Sequence, residues 1–264
     1  MKLSDVTPLV LTFNEEPNIK QCLEKLHWAQ RVLVIDSEST DSTVSICSGF
    51  PNVEVIRHPF HNHTAQWNFG LDQIATPWVL TLDADYIINQ DFLTEFQKLD
   101  TQGPVKTWAG QFRYVILGKR LRGTLYPPRV ILFEANSHRY EQDGHTQLLK
   151  TKGQTGFIQN RIDHDDRKPL SRWLDSQRKY AALEADKLSR EETYKGLADR
   201  LRKMIWPAAP AAFVYTLFIK RLIFDGWPGI YYVLQRTYAE LLLSLELLER
   251  RLKFGNFMTK TKDL

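Results

Sequence analysis

The sequence predicts an α/β fold: a mostly parallel sheet with helices on both faces, followed by a C-terminal helical appendage. Three observations carry that reading. Short apolar runs alternate with segments whose apolar residues recur at helical spacing through the first hundred residues. Each apolar run stops at polar, turn-forming residues. Beyond residue 169 the apolar residues recur three and four apart over long stretches, as in helices.

Residues Val6–Phe13 form the first apolar run and end at Asn14-Glu15-Glu16-Pro17, which reads as a buried strand entering a loop. In Asn18–Ala29, Ile19, Cys22, Leu23, Leu26 and Ala29 share one helical face. Arg31–Ile35 is a second strand, stopped by Asp36-Ser37-Glu38-Ser39-Thr40-Asp41, a run rich in helix-capping residues. A helix over Thr43–Ser48, a strand over Val53–His58 and a loop entering a helix over His61–Ile74 follow. Trp78–Leu82 is the fourth strand, and Asp83-Ala84-Asp85 ends it. This βαβαβαβ order implies parallel strands joined by crossover helices. Gln111–Leu117 and Val130–Glu134 read as strands flanking the basic loop Lys119–Gly123. Leu170–Leu188 and Ile230–Leu252 read as helices.

Composition narrows the class. The chain has 264 residues, 43% hydrophobic and 25% charged, which excludes wholesale disorder, collagen and a simple coiled coil. Two cysteines cannot build a disulfide framework or a four-cysteine zinc site, so a reducing, cytoplasmic setting is the default. Asp5 and Pro8 precede any apolar run, so no signal peptide is expected. The net charge of +4 hides an asymmetry: residues 1–150 carry 14 Lys+Arg against 17 Asp+Glu, and residues 151–264 carry 21 against 14. An acidic first half beside a basic second half suggests two jobs.

Ligands of open α/β sheets bind beyond the carboxyl ends of the strands. Asn14-Glu15, Asp36 and Asp83/Asp85 are expected to converge there. Two carboxylates one residue apart at a strand end suit a hard divalent cation, Mg²⁺ or Mn²⁺, whose other positions are filled by phosphate or water. A carboxylate at Asp36 can accept the imide N–H of a uracil base, or can hydrogen-bond its own turn. Asp41 reads as a helix cap. No Gly-x-Gly-x-x-Gly follows the first strand and no Gly-Lys-Ser/Thr loop is present, which argues against a dinucleotide oxidoreductase and a P-loop ATPase.

Four motifs occur in order: Leu11-Thr12-Phe13-Asn14-Glu15, Asp36-Ser37-x-Ser39-x-Asp41-x-Thr43, Gln66-Trp67-Asn68 and Leu82-Asp83-Ala84-Asp85. Together they resemble the family-two, inverting glycosyltransferases of GT-A fold, and within them the small bacterial enzymes of lipopolysaccharide-core type. The motifs span roughly residues 8–90. The resemblance implies a nucleotide-sugar donor, most often UDP-linked, and a divalent cation, Mn²⁺ or Mg²⁺. It implies that Thr12, Asn14 and Glu15 line the nucleotide pocket, that Asp36 holds the base, and that Gln66 and Asn68 sit near the donor. It places Asp83 on the ribose or metal and Asp85 on the metal. His164, within Ile162-Asp163-His164-Asp165-Asp166, is a further candidate for the metal or diphosphate; a charged surface loop before Pro169 is the alternative.

Two departures stand out. Tyr86 follows the Asp-x-Asp where similar enzymes often carry Glu, and His145-Thr146 stands where a His-Glu pair is common. Inverting transfer needs a general base for the acceptor hydroxyl. Asp143 is then the first candidate and Glu141 the second, with His145 as an orienting or phosphate-side group. A polar hairpin turning at Asp143-Gly144 is the structural alternative.

Met204–Ile219 has 16 residues without a charge, preceded by Lys203 and followed by Lys220-Arg221. It is short for a membrane span, and Pro207 and Pro210 disturb it. With Trp206, Tyr215 and Trp227 it suits a membrane interface or, alternatively, a helical cap or dimer contact. The expected organisation is a glycosyltransferase domain over 1–168, with a nucleotide-sugar half (1–100) and an acceptor half (101–168), and a helical region over 169–264. The expected activity is metal-dependent inverting transfer of a hexose to a lipopolysaccharide-core or other lipid-linked glycan. The expected setting is the cytoplasmic face of the inner membrane, on anionic lipid, with a possible homodimer through the C-terminal helices and no nucleic-acid partner. An inactive nucleotide-sugar-binding scaffold and a nucleotidyltransferase are the rivals; the latter usually opens with a basic Gly-rich loop, whereas Asn14–Pro17 is acidic.

Overall fold

The computed structural model describes residues 1–143, 146–151, 153–190 and 196–260, without the side chains of 143, 146 and 254–260. The chain divides into two compact units, residues 1–120 with 124–168, and residues 121–123 with 169–264.

The first unit is built on one mixed sheet. Strands β1 (Val6–Thr12), β2 (Val32–Asp36), β3 (Val53–Arg57) and β4 (Trp78–Asp83) are parallel, in the order β3-β2-β1-β4. The sheet continues through β8 (Arg129–Glu134), antiparallel to both β4 and β6 (Thr107–Ile116). Then come β11 (Thr155–His164), parallel to β6, and the two-residue β5 (Tyr86–Ile87), antiparallel to β11. Short β7 (Lys119–Arg120) folds back on β6, and β9 (Tyr140–Asp143) pairs with β10 (Thr146–Leu149) as a separate hairpin.

Alternation along the strands sorts the core into two layers. Val6, Val10, Val32 and Val34 face α1 (Ile19–Glu24), α2 (Thr43–Cys47) and α4 (Gln90–Gln97), where Cys22, Leu23, Phe92 and Phe96 are buried. Leu9, Leu33, Ile35 and Val79 face α3 (His63–Asp72) through Trp67 and Leu71. Each such aliphatic side chain contributes about 1.5–3 kcal/mol on burial. A Cβ at Gly70 would lie 2.7 Å from a methyl of Leu9, so α3 approaches β1 at a distance only glycine permits.

The first helix is shorter than its apolar spacing predicts. It ends at Glu24, while Leu26 and Ala29 remain buried on the following turns. The Asn52 amide donates to the carbonyls of Leu26 (3.1 Å) and Ala29 (2.9 Å), replacing helical bonds that would have continued α1. The larger difference is β11. A surface loop is one reading of the charged cluster that begins at Ile162, yet Ile162, Asp163 and His164 end this strand and are buried. Asp163 is offset there by Arg113 and Arg120, each with two nitrogens at 2.8–2.9 Å from its carboxylate.

The second unit is helical: α5 (Leu170–Arg190), α6 (Leu197–Lys203), α7 (Ala208–Val214) and α8 (Gly226–Lys260). Met204–Ile219 is broken. Ile205 is left-handed (φ 70°), Pro207 caps α7, and a π-turn over Tyr215–Ile219 ends it. Pro210 falls in the first turn of α7, where its missing N–H costs nothing. Among the described residues no helix is long and apolar enough to cross a membrane.

Candidate active site

The ends of β2, β1 and β4 lie side by side. Thr12 is in register with Asp36, and Leu11 with Asp83. The polar residues that stop these three strands therefore meet on one edge of the sheet, as the alternation of elements predicts.

Two loops above this edge are zipped together. Asn14, at φ 53°, donates its N–H to Ser39 Oγ (2.7 Å), and its side-chain oxygen accepts from Thr40 N (2.7 Å). Asparagine tolerates this left-handed conformation better than most residues. Glu15 N–H donates to Thr43 Oγ1 (2.7 Å). Asp41 accepts from the backbone N–H groups of Glu16 (3.2 Å) and Thr43 (3.0 Å). Asp36 is wholly buried beneath them. Its Oδ2 accepts from the hydroxyls of Thr12 (2.8 Å) and Ser39 (2.6 Å), and its Oδ1 from Ser39 N–H (2.9 Å).

Gln66 and Asn68 are tied into the surrounding structure. Gln66 is buried, donates to Ser37 Oγ and to the His58 carbonyl (both 2.9 Å), and its Oε1 lies 2.8 Å from His58 Nδ1. Asn68 exchanges two bonds with the backbone of Tyr140, fastening β9 to α3.

Asp83 is half-buried, and among the described residues no group hydrogen-bonds its carboxylate. Asp85 is buried, and its Oδ2 lies 3.1 Å from His164 Nε2. Asp85 Oδ1 and His164 Nδ1 are both buried without a partner. Burial pushes the Asp85 carboxyl up, but His164 and Lys168 outweigh it and hold it below the usual carboxylate range. Burial pulls the His164 imidazole down, and Asp85 more than reverses this, raising it. The imidazole sits among Tyr86, Tyr114 and Tyr126, with ring centroids 5.2, 4.3 and 5.2 Å away. The hydroxyls of Tyr86 and Tyr126 are 2.6 Å apart.

Several participants are not evident from the motifs. Lys168 reaches Glu15 Oε1 at 2.7 Å, and Asn18 joins Glu15 Oε2 (2.9 Å) to Asp166 (3.1 Å). Burial raises the Glu15 carboxyl to about 7 even against Lys168, with Asp85 adding to the rise. Arg129, on β8, lies in the field of Asp83 with its guanidinium 4.9 Å over the Tyr126 ring. Only the cluster of charge around residues 162–168 hinted at Lys168. Nothing in the spacing of Arg129 did, because a strand on the far side of β4 brings it in.

The candidate bases lie on the β9–β10 hairpin. Asp143 pairs with Thr146 in the antiparallel ladder between β9 and β10. The side chain of Asp143 and all of His145 lie outside the described residues. Glu141 is exposed and pairs with Lys150 at 2.9 Å. The hairpin is anchored by Tyr140, whose hydroxyl donates to Thr81 Oγ1 (3.2 Å) and whose ring stacks on Trp67.

Asp163 and His164 are consecutive on a strand, so they face opposite sides of the sheet. Asp163, with Ile87, Val115, Lys119, Arg120 and Arg167, lines an open groove of about 650 Å³.

Residues 9–166, more than half of the chain, match the family described as Glycosyl transferase family 2. The chain belongs to that family. Among curated relatives, this family member is 28% identical over 85 residues to the "Lipopolysaccharide core biosynthesis glycosyltransferase LpsC" of Rhizobium meliloti, covering 30% of this chain and 31% of that protein. It is 29% identical over 96 residues to the "Uncharacterized glycosyltransferase RT0209" of Rickettsia typhi, covering 36% and 32%. The chain thus spans about a third of the length of these relatives. Among solved structures, the mannosyltransferase PcManGT of Pyrobaculum calidifontis, in complex with GDP-Man and Mn²⁺, superposes with a TM-score of 0.55 at 14% identity, covering 92% of this chain and 87% of that one. The family 2 member has the GT-A fold.

Proposed function

We propose that this chain is a metal-dependent, inverting glycosyltransferase that moves a hexose from a nucleotide sugar to a hydroxyl of a lipopolysaccharide-core or other lipid-linked glycan. The observation that carries the reading is the Asp85–His164 pair, which leaves two polar atoms buried without partners at the end of β4. A buried polar group without a partner costs about 1–3 kcal/mol, and a ligand that fills the deficit recovers it.

Carboxylate oxygen and imidazole nitrogen are donors that Mn²⁺ accepts, so the residues fit the metal. Among the described residues no cluster of three or more such side chains is close enough to hold an ion unaided. Asp85 and His164, with Asp83 nearby, would therefore hold the cation together with donor oxygens. When bound, it supplies charge stabilisation to the departing diphosphate.

The chain's own residues do the rest. Asp36, Ser39 and Thr43 fix Thr12, Asn14 and Glu15 in turn as the wall of the nucleotide pocket. Asp36 Oδ1 accepts one bond and keeps capacity for the imide N–H of a base. Gln66 and Asn68 keep that wall and the hairpin in place. Arg129 and Lys168 put positive charge beside the diphosphate. Asp143 takes the acceptor hydroxyl proton as that oxygen attacks the anomeric carbon and the nucleoside diphosphate leaves. Glu141 is the second candidate base, and His145 orients. The motif resemblance to family-two enzymes, whose donors are most often UDP-linked, favours UDP, while PcManGT holds GDP-Man.

A thermal-shift panel of UDP- and GDP-linked sugars with and without Mn²⁺ tests the reading. One donor is expected to raise the melting temperature only with metal, and Asp85→Ala is expected to remove that shift. An unchanged shift in the variant removes Asp85 from the metal site. Asp143→Asn is expected to bind donor and not transfer; an active variant moves the base elsewhere.

The second unit supports attachment to the cytoplasmic face of an anionic membrane. Trp206, Phe218, Ile219, Phe224 and Trp227 are all more than half exposed beside Lys203, Lys220 and Arg221. Trp206→Ser with Phe224→Ser is expected to release the protein from phosphatidylglycerol vesicles. Persistent binding places the contact elsewhere.

A further inference from the structure

Helix α8 has two apolar faces, and the second unit covers one of them. Tyr232, Val233 and Leu243 are buried. Leu243 packs on Ala181, Ala185 and Leu188 of α5. Ser244 Oγ donates to the Ile205 carbonyl (2.8 Å), and Arg202 of α6 grips Glu240. This face is complete.

The other face carries Tyr231, Tyr238, Leu245 and Leu252 seven residues apart, and Leu234, Leu241 and Leu248 seven apart between them. The spacing alternates three and four without interruption for three heptads. All seven side chains are between 36% and 59% exposed. Tyr238 keeps one tilted ring contact with Trp173.

A strict 3.5-residue period is the signature of a helix that meets another helix along a seam, with Leu at each d position and large apolar residues at each a. A helix lying on lipid needs a broader face and a basic surplus. Between Tyr231 and Leu252, Arg236, Arg250 and Arg251 are balanced by Glu240, Glu246 and Glu249. Charge therefore favours a helical partner over an anionic surface. The seam runs for roughly 32 Å at ~1.5 Å per residue. Seven half-exposed large side chains along that length offer apolar area on the order of the ~800 Å² per partner that a standard specific interface buries.

We infer that α8 is a homodimerisation helix, and that its exposed seam packs against the same seam of a second copy of this chain. A two-fold interface needs one self-complementary patch, and a row of leucines and tyrosines is self-complementary. The inference stands on α8 alone and does not depend on the proposed transfer activity.

Sedimentation equilibrium of the full chain at micromolar concentration, without lipid or detergent, tests it. The wild type is expected at twice the chain mass. Leu241→Glu with Leu248→Glu places four carboxylates in the joined seams and is expected to weaken association by at least ~100-fold, about 2.7 kcal/mol. Both positions are exposed, so the helical circular dichroism is expected to stay unchanged. As a second measurement, Leu241→Cys is expected to cross-link to itself under mild oxidation, since both native cysteines are buried. A wild type of single-chain mass overturns the inference, as does a double variant that remains dimeric. Failure of Leu241→Cys to cross-link a dimeric protein places the interface off this seam and overturns it too.

Discussion

The ends of β2 and β4 each bury a carboxylate, and the two are opposites in how they are satisfied. Asp36 receives three donors, two hydroxyls and one backbone N–H, which occupy both its oxygens. Asp85 receives one imidazole on one oxygen and nothing on the other. Both follow apolar strands that flank β1, and both are buried. Burial alone therefore does not separate the two carboxylates; their unfilled hydrogen-bonding capacity does. Asp36 ties the two loops together, and the proposed function gives the open oxygen of Asp85 to the cation.

The contrast breaks most visibly at Asp85. Asp85→Ala is expected to lower transfer by about 1,000-fold or more, the scale of losing a principal electrostatic contributor to the transition state. It also strips the buried His164 imidazole of its partner, which burial then keeps neutral, so a stability loss smaller than that of the Asp36 variant is expected. Steady-state assays with chemical denaturation of the same variant check both halves. Retained transfer, or a stability loss larger than that of the Asp36 variant, erases the distinction.

Asp36→Ala is the mirror experiment. It leaves one buried and two half-buried donors without an acceptor and is expected to destabilise the fold by about 2–3 kcal/mol. Urea denaturation reads this directly. A loss below about 1 kcal/mol would mean that water or a rearranged loop fills the space, and that Asp36 is not the scaffold its bonds describe.

The sequence made one of these regions more legible than the other. β1, β2 and β4 are uninterrupted apolar runs ending in acids, so their order and shared edge follow from pattern alone. His164 was harder. Its strand, β11, is polar along much of its length, since Gln159, Asn160 and Arg161 break the apolar run. What turns it into a buried strand is pairing with β6 and the two arginines that neutralise Asp163, and those contacts join residues 43 to 50 apart. Gln66 and Asn68 illustrate a different limit. A motif marks that a residue type is needed, and here its amides bond to Ser37, His58 and Tyr140, partners no local spacing reveals. Arg129 and Lys168 enter for the same reason, brought in by topology rather than by neighbours in the chain.

Glu15 refines the comparison, because it is a carboxyl near Asp85 that does have partners. Its folded-state carboxyl is raised to about 7 chiefly by burial, above its unfolded value. Between about pH 4.5 and pH 7 the folded chain therefore keeps a proton there that the unfolded chain releases. Stability falls as pH rises across that window, by at most about 1.4 kcal/mol per pH unit from this group. Glu15→Gln cannot titrate and is expected to flatten the fall. Denaturation midpoints of both proteins at pH 5, 6 and 7 give the slopes; identical slopes would show that Lys168 holds Glu15 ionised throughout.

The smallest effect is expected at Glu141, which extends the comparison to a carboxylate that is not buried at all. Its ion pair with Lys150 is open to solvent, with the two side chains 60% and 68% exposed. Such pairs contribute roughly 0–1 kcal/mol because water screens them and two flexible chains must be ordered. Glu141→Gln is expected to shift stability by less than about 0.5 kcal/mol and transfer by less than about twofold. The same assay separates the two carboxylates of the hairpin. If Glu141→Gln abolishes transfer while donor binding persists, and Asp143→Asn remains active, the proton goes to position 141. An exposed carboxylate would then be the base, made competent only when an acceptor covers it and excludes the water that now screens it from Lys150.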